Sequence, residues 1–181
     1  MRHTLSIVVE NRVGELSRIV GLFSARGFNI ESLTVAEGLA PQISRVTLVT
    51  TGDDRTIEQI TRQLDKQIRV LNVEDMTALK HIEREMLLIK VRAPAGPARQ
   101  EVLSLVSVFR AKVVDICDSG LIIETTGNWD KVNAMLELLK PLGVVEIVRT
   151  GVVAMARLSE RGFDEQVCEE ESSLVTNVEG S

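Results

Sequence analysis

The sequence predicts an α+β protein built from two ferredoxin-like domains in tandem, each with the element order βαββαβ. Apolar residues follow strand and helix spacing in the same order in both halves of the 181-residue chain. A short polar segment at 77–82 separates the halves. The hydrophobic fraction of 44% suffices for a core, which must be aliphatic because aromatic residues make up only 3%.

The first half contains the elements of one such domain, predicted over residues 1–76. In chain order they are a strand at 4–9, a helix at 15–26, strands at 29–36 and 44–51, a helix at 54–66 and a strand at 70–75. The second helix has cap signals at Asp53 and an apolar stripe through Ile57, Ile60 and Leu64. Residues 38–41 mark the turn between the two middle strands.

The second half repeats this order, so we predict a second domain over residues 83–158. Its elements are a strand at 86–91, a helix with Pro97 near its start, strands at 112–116 and 121–125, a helix capped by Asn128, a strand at 144–148 and a short extension at 152–156. Helices cover one face of each predicted sheet. We expect a second copy to cover the other face, giving a homodimer.

Charge and composition exclude several classes of function. Residues 160–181 carry a net charge of -6, whereas residues 1–159 carry +1, so segment 159–181 is predicted to be an acidic, mobile tail. A nearly neutral folded part without Tyr indicates no nucleic-acid binding. We expect no membrane association and a cytoplasmic location, since a strand starts almost at Met1 and no apolar run reaches spanning length.

The sequence contains no recognisable catalytic or metal-binding constellation. His3 and His81 have no partner at ligand spacing, and we expect both to be unremarkable. Cys117 is predicted to be a small buried residue on a strand, and Cys168 a residue of the tail. No phosphate-binding loop and no nucleophile elbow is present. We therefore predict no catalysis, metal or cofactor on this chain.

The tight turn between the first strand and the first helix is the most informative feature. Residues 11–16 read Asn-Arg-Val-Gly-Glu-Leu, and the first helical turn aims unpaired N–H groups at whatever lies above it. Gly14 has no Cβ, so a small ligand can touch the backbone there. Asn29 opens the next strand with a second amide. These groups suit the carboxylate and ammonium of an amino acid, although an ordinary N-cap turn would look the same.

The segment as a whole narrows this choice. The run VVENRVGELSRIVGLFSARGFNIESLTV at 8–35 resembles the start of an ACT domain, the small module that binds amino acids. More narrowly, it resembles the regulatory (small) subunit of acetohydroxyacid synthase, also called acetolactate synthase. The likeness continues through 44–47, 59–71, 83–85 and 149–153, and covers nearly all of residues 1 to about 158.

The resemblance implies a non-catalytic regulatory subunit in valine, isoleucine and leucine biosynthesis. Such a subunit activates a thiamine-diphosphate-dependent large subunit and confers feedback inhibition by valine, with leucine as the next candidate effector. Thiamine diphosphate, Mg²⁺ and FAD belong to the large subunit, so none is expected here. The implied partners are that subunit, a second copy joined through the ACT domains, and the branched-chain amino acid.

We predict the effector site between two N-terminal domains, where the turn of one copy faces the strand at 29–30 of the other. The predicted site residues are Asn11, Val13, Gly14, Glu15, Leu16, Asn29, Ile30, Val35 and Ala36. The N–H groups near Gly14, Glu15 and Leu16 would hold the carboxylate. The amide oxygens of Asn11 and Asn29 would accept from the ammonium. The apolar members would form a cup for a branched side chain.

Other charged residues have two open interpretations. Arg12 and Arg18 either reach the effector carboxylate or lie on a solvated helix face. Glu37 and Arg45 either contact the large subunit or are ordinary surface charges. Residues 83–85 match the family and have structural or partner roles. At the level of function, a free-standing amino-acid sensor and a small enzyme of ferredoxin-like fold remain as alternatives.

Overall fold

The computed structural model describes residues 1–158, and the predicted tail and Cys168 lie outside them. The described chain forms two compact units. The first contains Met1–Ile82 together with the described residues from Ala154, and the second contains Glu83–Val153. Both have the antiparallel βαββαβ arrangement that the sequence predicts, so the predicted fold class is confirmed.

The first unit is a four-stranded sheet with two helices. Its elements are β1 (Arg2–Glu10), α1 (Glu15–Ala25), β2 (Ile30–Glu37), β3 (Ile43–Thr51), α2 (Asp54–Leu64) and β4 (Val70–Asp75), followed by a 3-10 turn at Met76–Ala78. The strands lie in the order β2-β3-β1-β4, which places β2 at one edge of the sheet. The predicted elements are therefore all present and differ only at their ends.

Local sequence explains these elements. Ile19 and Phe23 of α1 are buried against the sheet, as are the three predicted stripe residues of α2. The carboxylate of Asp53 caps α2 by accepting the N–H of Thr56 at 2.7 Å, and this hydrogen bond lowers the pKa of Asp53. Phe23 and Phe28 stack edge to face at 6.3 Å and fix the chain between α1 and β2.

The face of this sheet opposite the helices is not bare. Thr4, Ser6 and Val8 of β1 and Val49 of β3 are all buried within the single chain. The expectation of a bare face, from which we predicted a dimer, is therefore wrong for the central strands of this unit. Among the strands of residues 1–158, β2 pairs only with β3.

The second unit repeats the topology. Its elements are β5 (His81–Arg92), α3 (Pro97–Val108), β6 (Lys112–Cys117), β7 (Gly120–Gly127), α4 (Trp129–Leu139) and β8 (Val144–Arg149), with a 3-10 turn at Lys140–Leu142. The order is β6-β7-β5-β8, and the predicted extension is β9 (Val153–Ala156), which pairs with β5. Strand β5 begins inside the segment that we predicted as a linker. The predicted domain boundaries themselves stay a prediction.

The core of the second unit is aliphatic, as its composition requires. Leu87, Ile89 and Val91 of β5 alternate toward the helices, where Met135 and Leu139 of α4 meet them. The side-chain oxygen of Asn128 accepts the N–H of Lys131 at 3.1 Å and begins α4, as predicted.

One prediction about a single residue was wrong. Cys117 is exposed rather than buried, because it ends the edge strand β6 beside the hairpin turn. His3, for which we predicted no catalytic or metal role, is buried, and its ring lies between the carboxylates of Asp54 and Asp75, at 3.8 and 3.5 Å. Both histidine contacts depend on packing that local sequence does not reveal.

Candidate functional site

The turn between β1 and α1 places a glycine in the left-handed conformation at the start of the helix. Gly14 lies at the N-cap with φ +93°, a conformation that favours glycine, and a Cβ built there meets no atom within 4 Å. The N–H of Glu15 already donates to the carbonyl of Arg12 at 3.3 Å. Among the described backbone hydrogen bonds, none uses the N–H of Gly14 or of Leu16. These two groups are thus better placed to hold a carboxylate than Glu15.

Asn11 ties this turn to the connection between β2 and β3. Its backbone N–H donates to the carbonyl of Gln42 at 2.6 Å. Its side-chain Nδ2 donates to the carbonyl of Pro41 at 2.9 Å and to Oε1 of Glu37 at 3.3 Å. Since the amide nitrogen is engaged, the group that Asn11 presents to a ligand is the oxygen Oδ1, an acceptor that suits an ammonium.

Glu15 has a structural role that the sequence did not reveal. Its carboxylate is buried, and Oε1 accepts from Arg18 at 2.8 Å and from Arg69 at 2.9 Å. Arg69 lies in the loop before β4, 54 residues away, so no local pattern could have found it. A buried carboxylate bonded by two guanidinium groups holds the first turn of α1 to that loop.

Neither Arg12 nor Arg18 is a free cation at this turn. Arg12 pairs with Glu10 at 2.9 Å, and Arg18 pairs with Glu15. Arg69 is a third cation at the same place, since its Nε lies 3.9 Å from Glu10. Since Asn11 also reaches Glu37 at 3.3 Å, three guanidinium groups and three carboxylates surround this turn, and their charges balance.

The structure divides the predicted apolar cup. Val13 is fully exposed, and Leu16 and Val35 are about two-fifths exposed, so all three present apolar surface to solvent. Ile30, in contrast, packs against the core of its own unit. Ala36 lies on the opposite face of β2 from Val35, because Val35 pairs with the core residue Val46. Ala36 therefore faces away from Val35, whereas Ile30 lies on the same face as Val35 but packs against the core.

Asn29 lies far from Asn11 within one chain. It precedes β2, and its carbonyl accepts from the hydroxyl of Thr50 at 2.6 Å. Asn11, in contrast, is bonded to Glu37 at the other end of this eight-residue strand, roughly 25 Å away. One copy of the chain cannot bring the two amides to one ligand.

The predicted partner residues are also separated. Glu37 pairs with Ser44 and Arg45 pairs with Ala36, so the two charges lie on opposite faces of the sheet. Arg45 donates to the hydroxyl of Ser6 at 3.2 Å. In the second unit, Glu85 is buried and accepts from Arg149 at 3.1 Å, while Glu83 accepts the backbone N–H of Trp129. These contacts favour the structural interpretation of residues 83–85.

Two further observations concern the described part of the chain. Across residues 1–158, no three side chains of His, Cys, Asp or Glu are grouped so as to hold a metal ion. No helix in this range is long and apolar enough to cross a membrane.

Comparison with known proteins finds two family models and several relatives that this chain resembles. Residues 5–72 match a family model described as the AHAS small subunit-like ACT domain, and residues 84–158 match one described as the small subunit of acetolactate synthase. The acetolactate synthase small subunit of Aquifex aeolicus is 48% identical over 156 residues, which are 86% of this chain and 81% of that protein.

Two other similar proteins are also acetolactate synthase small subunits by name. A probable acetolactate synthase small subunit of Methanothermobacter thermautotrophicus is 44% identical over 86% of this chain and 92% of its own length. The crystal structure of the acetolactate synthase small subunit from Thermotoga maritima matches with a TM-score of 0.79 and 42% identity, covering 88% of this chain and 99% of that one.

Proposed function

The chain belongs to the family of acetolactate synthase small subunits, and from this membership we propose that it is the non-catalytic regulatory subunit of that enzyme. It raises the activity of a thiamine-diphosphate-dependent large subunit and makes that activity sensitive to valine. Thiamine diphosphate, Mg²⁺ and FAD belong to the large subunit, and this chain supplies the effector site.

The observation that carries the proposal is the placement of the two amides at opposite ends of the edge strand β2. If β2 pairs antiparallel with β2 of a second copy, the Asn29 end of one strand lies beside the Glu37 end of the other. Asn11 is bonded to Glu37, so each effector site then contains Asn11 of one copy and Asn29 of its partner. The homodimer completes two equivalent sites.

The chemistry of such a site fits a free amino acid. The N–H groups of Gly14 and Leu16 and the positive end of the α1 dipole hold the carboxylate. The side-chain oxygens of Asn11 and Asn29 accept from the ammonium. Val13, Leu16 and Val35 offer apolar surface to a branched side chain. One methylene is worth about 1–3 kcal/mol in such a pocket, so valine is favoured over its neighbours only modestly.

Regulation follows from linkage between the two binding events. The large subunit favours one arrangement of the small-subunit dimer, and valine across the interface favours another. A coupling free energy of about 1–3 kcal/mol gives inhibition of the size that feedback control needs. Reciprocity then requires that binding of the large subunit weaken valine binding by the same factor.

The test is acetolactate formation by the cognate large subunit, with and without this chain, over a valine titration. We expect activation by the chain, and valine inhibition that Asn29→Ala abolishes. The matched control is Asn72→Ala, an exposed asparagine on β4 at the other edge of the same sheet, which should leave inhibition unchanged. A chain that binds valine and leaves the enzyme's rate unchanged would instead be a free-standing sensor.

A further inference from the structure

The connection between β2 and β3 is a compact loop with an apolar tip. The N–H of Gly38 donates to the carbonyl of Ile43 at 2.9 Å, and the N–H of Ile43 donates to Ala40 at 3.0 Å, which closes residues 38–43. At the tip, the side chain of Leu39 is 84% exposed. The loop is therefore an ordered platform that presents a large apolar side chain to solvent.

This loop is joined to the turn at residues 11–16 through one residue, Asn11. Asn11 makes three hydrogen bonds to the chain between Glu37 and Gln42, one from its backbone and two from its side chain. In the described part of the chain, no hydrogen bond or ion pair joins residues 12–16 to this loop, so Asn11 is the residue that links the two. A rotation of the Asn11 amide therefore changes the hydrogen bonds that this residue makes to the loop.

We propose that the loop at residues 38–42 is the surface through which this chain contacts the catalytic subunit, with Leu39 inserted into an apolar depression of that partner. We infer further that Asn11 is the positioning residue that couples effector binding to this contact. The proposal rests on the proposed function and names the surface through which its regulation acts.

The geometry of the amide supplies the coupling. Oδ1 and Nδ2 belong to one planar group, so a rotation that brings Oδ1 to the effector ammonium also moves Nδ2 relative to its two acceptors. The ammonium also brings positive charge close to Glu37, which accepts from the same Nδ2 at 3.3 Å. Both effects change the hydrogen bonds that hold the β2 end of the loop, and the loop carries Leu39.

The second unit has an equivalent connection that cannot switch in this way. There the N–H of Ala93 donates to the carbonyl of Ser119 at 3.0 Å, as Asn11 donates to Gln42. The side-chain tie is made by Arg99, which donates to the carbonyls of Ala93, Cys117 and Asp118 at 2.6–2.8 Å. A guanidinium has no acceptor atom to offer a ligand ammonium, so an ammonium cannot draw Arg99 away from these carbonyls in the way proposed for Asn11.

The contact surface is tested with Leu39→Asp in the full chain. We expect the concentration of chain that gives half-maximal activation of the large subunit to rise at least about tenfold, since a buried apolar anchor is replaced by a charge. Valine affinity of the isolated chain, measured by calorimetry, should stay within about twofold of the parent. The control is Ile68→Asp in the loop before β4, where the side chain is 96% exposed. Equal effects of the two substitutions would overturn the proposed surface.

The coupling is tested with Glu37→Ala, and with Glu37→Gln as the conservative variant that keeps an acceptor for Asn11. We expect Glu37→Ala to bind valine more weakly, because a carboxylate near the ammonium is lost, and to lose at least about half of the maximal inhibition even at saturating valine. Glu37→Gln should restore the maximal inhibition. Full inhibition of Glu37→Ala at saturating valine would overturn the coupling through Asn11. If the parent chain does not activate the large subunit, the proposed function is wrong. That result differs from a failure of the coupling alone, in which the parent activates normally.

Discussion

The turn before α1 and the turn before α3 occupy equivalent positions in the two units, but they differ in their hydrogen-bonding groups. The turn before α1 ends in Gly14, has unused N–H groups and is tied to its neighbouring hairpin by an asparagine with a remaining acceptor. The turn before α3 ends in Gly96 and Pro97, and Arg99 donates to one of its carbonyls, that of Ala93, at 2.8 Å. Proline removes one N–H, and the guanidinium satisfies this acceptor.

This difference teaches that the fold alone does not make an effector site. Both turns have a glycine with positive φ at the N-cap of a helix, +93° at Gly14 and +135° at Gly96. What separates them is the side chain that ties each turn to its neighbouring hairpin. At the first turn it is Asn11, whose amide has an acceptor as well as a donor, and at the second it is Arg99, whose guanidinium has donors only.

The largest expected effect comes from placing a carboxylate at the first turn. In Gly14→Asp, the new side chain competes with the effector carboxylate for the same N–H groups, so valine affinity should fall by roughly 30-fold. The Cβ meets no atom within 4 Å, but φ +93° strains any L side chain at Gly14, as φ +135° does at Gly96. Calorimetric titration measures the affinity. Gly96→Asp is the matched substitution in the second unit and should leave valine affinity unchanged; equal losses would place the site elsewhere.

The next effect is on stability. Glu15→Gln removes the charge that two arginines share in a buried position, and should lower the free energy of unfolding by about 2 kcal/mol. Urea denaturation followed by circular dichroism checks this. The comparison variant is Glu58→Gln, which breaks an exposed pair with Arg62 and should cost less than about 0.5 kcal/mol. Similar costs would show that Glu15 does not anchor α1.

A smaller effect is expected at the second turn. Arg99→Ala removes three hydrogen bonds to carbonyls, two of them exposed, and should cost about 1 kcal/mol of stability. It should not create a second valine site, because Pro97 still lacks an N–H. Urea denaturation and the stoichiometry of valine binding test the two parts. Arg92→Ala, which truncates an exposed arginine of β5, is the control. A doubled stoichiometry in Arg99→Ala would refute the comparison of the turns.

The smallest effect concerns the hairpin that Arg99 contacts. A hydrogen bond from Ser119 lowers the pKa of the Cys117 thiol, since it stabilises the thiolate, whereas the charge of Asp115 opposes this. In a Cys168→Ser background, Ser119→Ala should move the midpoint of iodoacetamide alkylation to higher pH. Asp115→Asn should move it to lower pH. Shifts in the same direction for both variants would contradict this assignment.

Much of the architecture was predictable because its signals are local. Helix caps at Asp53 and Asn128, apolar stripes on the helices and the turn at Gly14 all depend on residues a few positions apart. The division of the apolar cup was also within reach. Because strand side chains alternate, Val35 and Ala36 must face opposite sides of β2.

Other features were beyond prediction because they join distant residues. The bond between Glu15 and Arg69 spans 54 residues, and the burial of His3 requires α2 and the end of β4. Residues on both faces of β1 are buried, which the alternation of its residues does not indicate. No periodicity within a single segment records such contacts.

The sequence by itself determined the order of elements, the tandem repeat and the family, since these depend on local spacing and on long stretches of similar residues. The tertiary structure decided that β2 is an edge strand, that Asn11 and Asn29 lie at its opposite ends, and that Asn11 is bonded to the loop after β2. These properties arise from strand pairing between residues far apart in the chain, where geometry, rather than local preference, selects the neighbours.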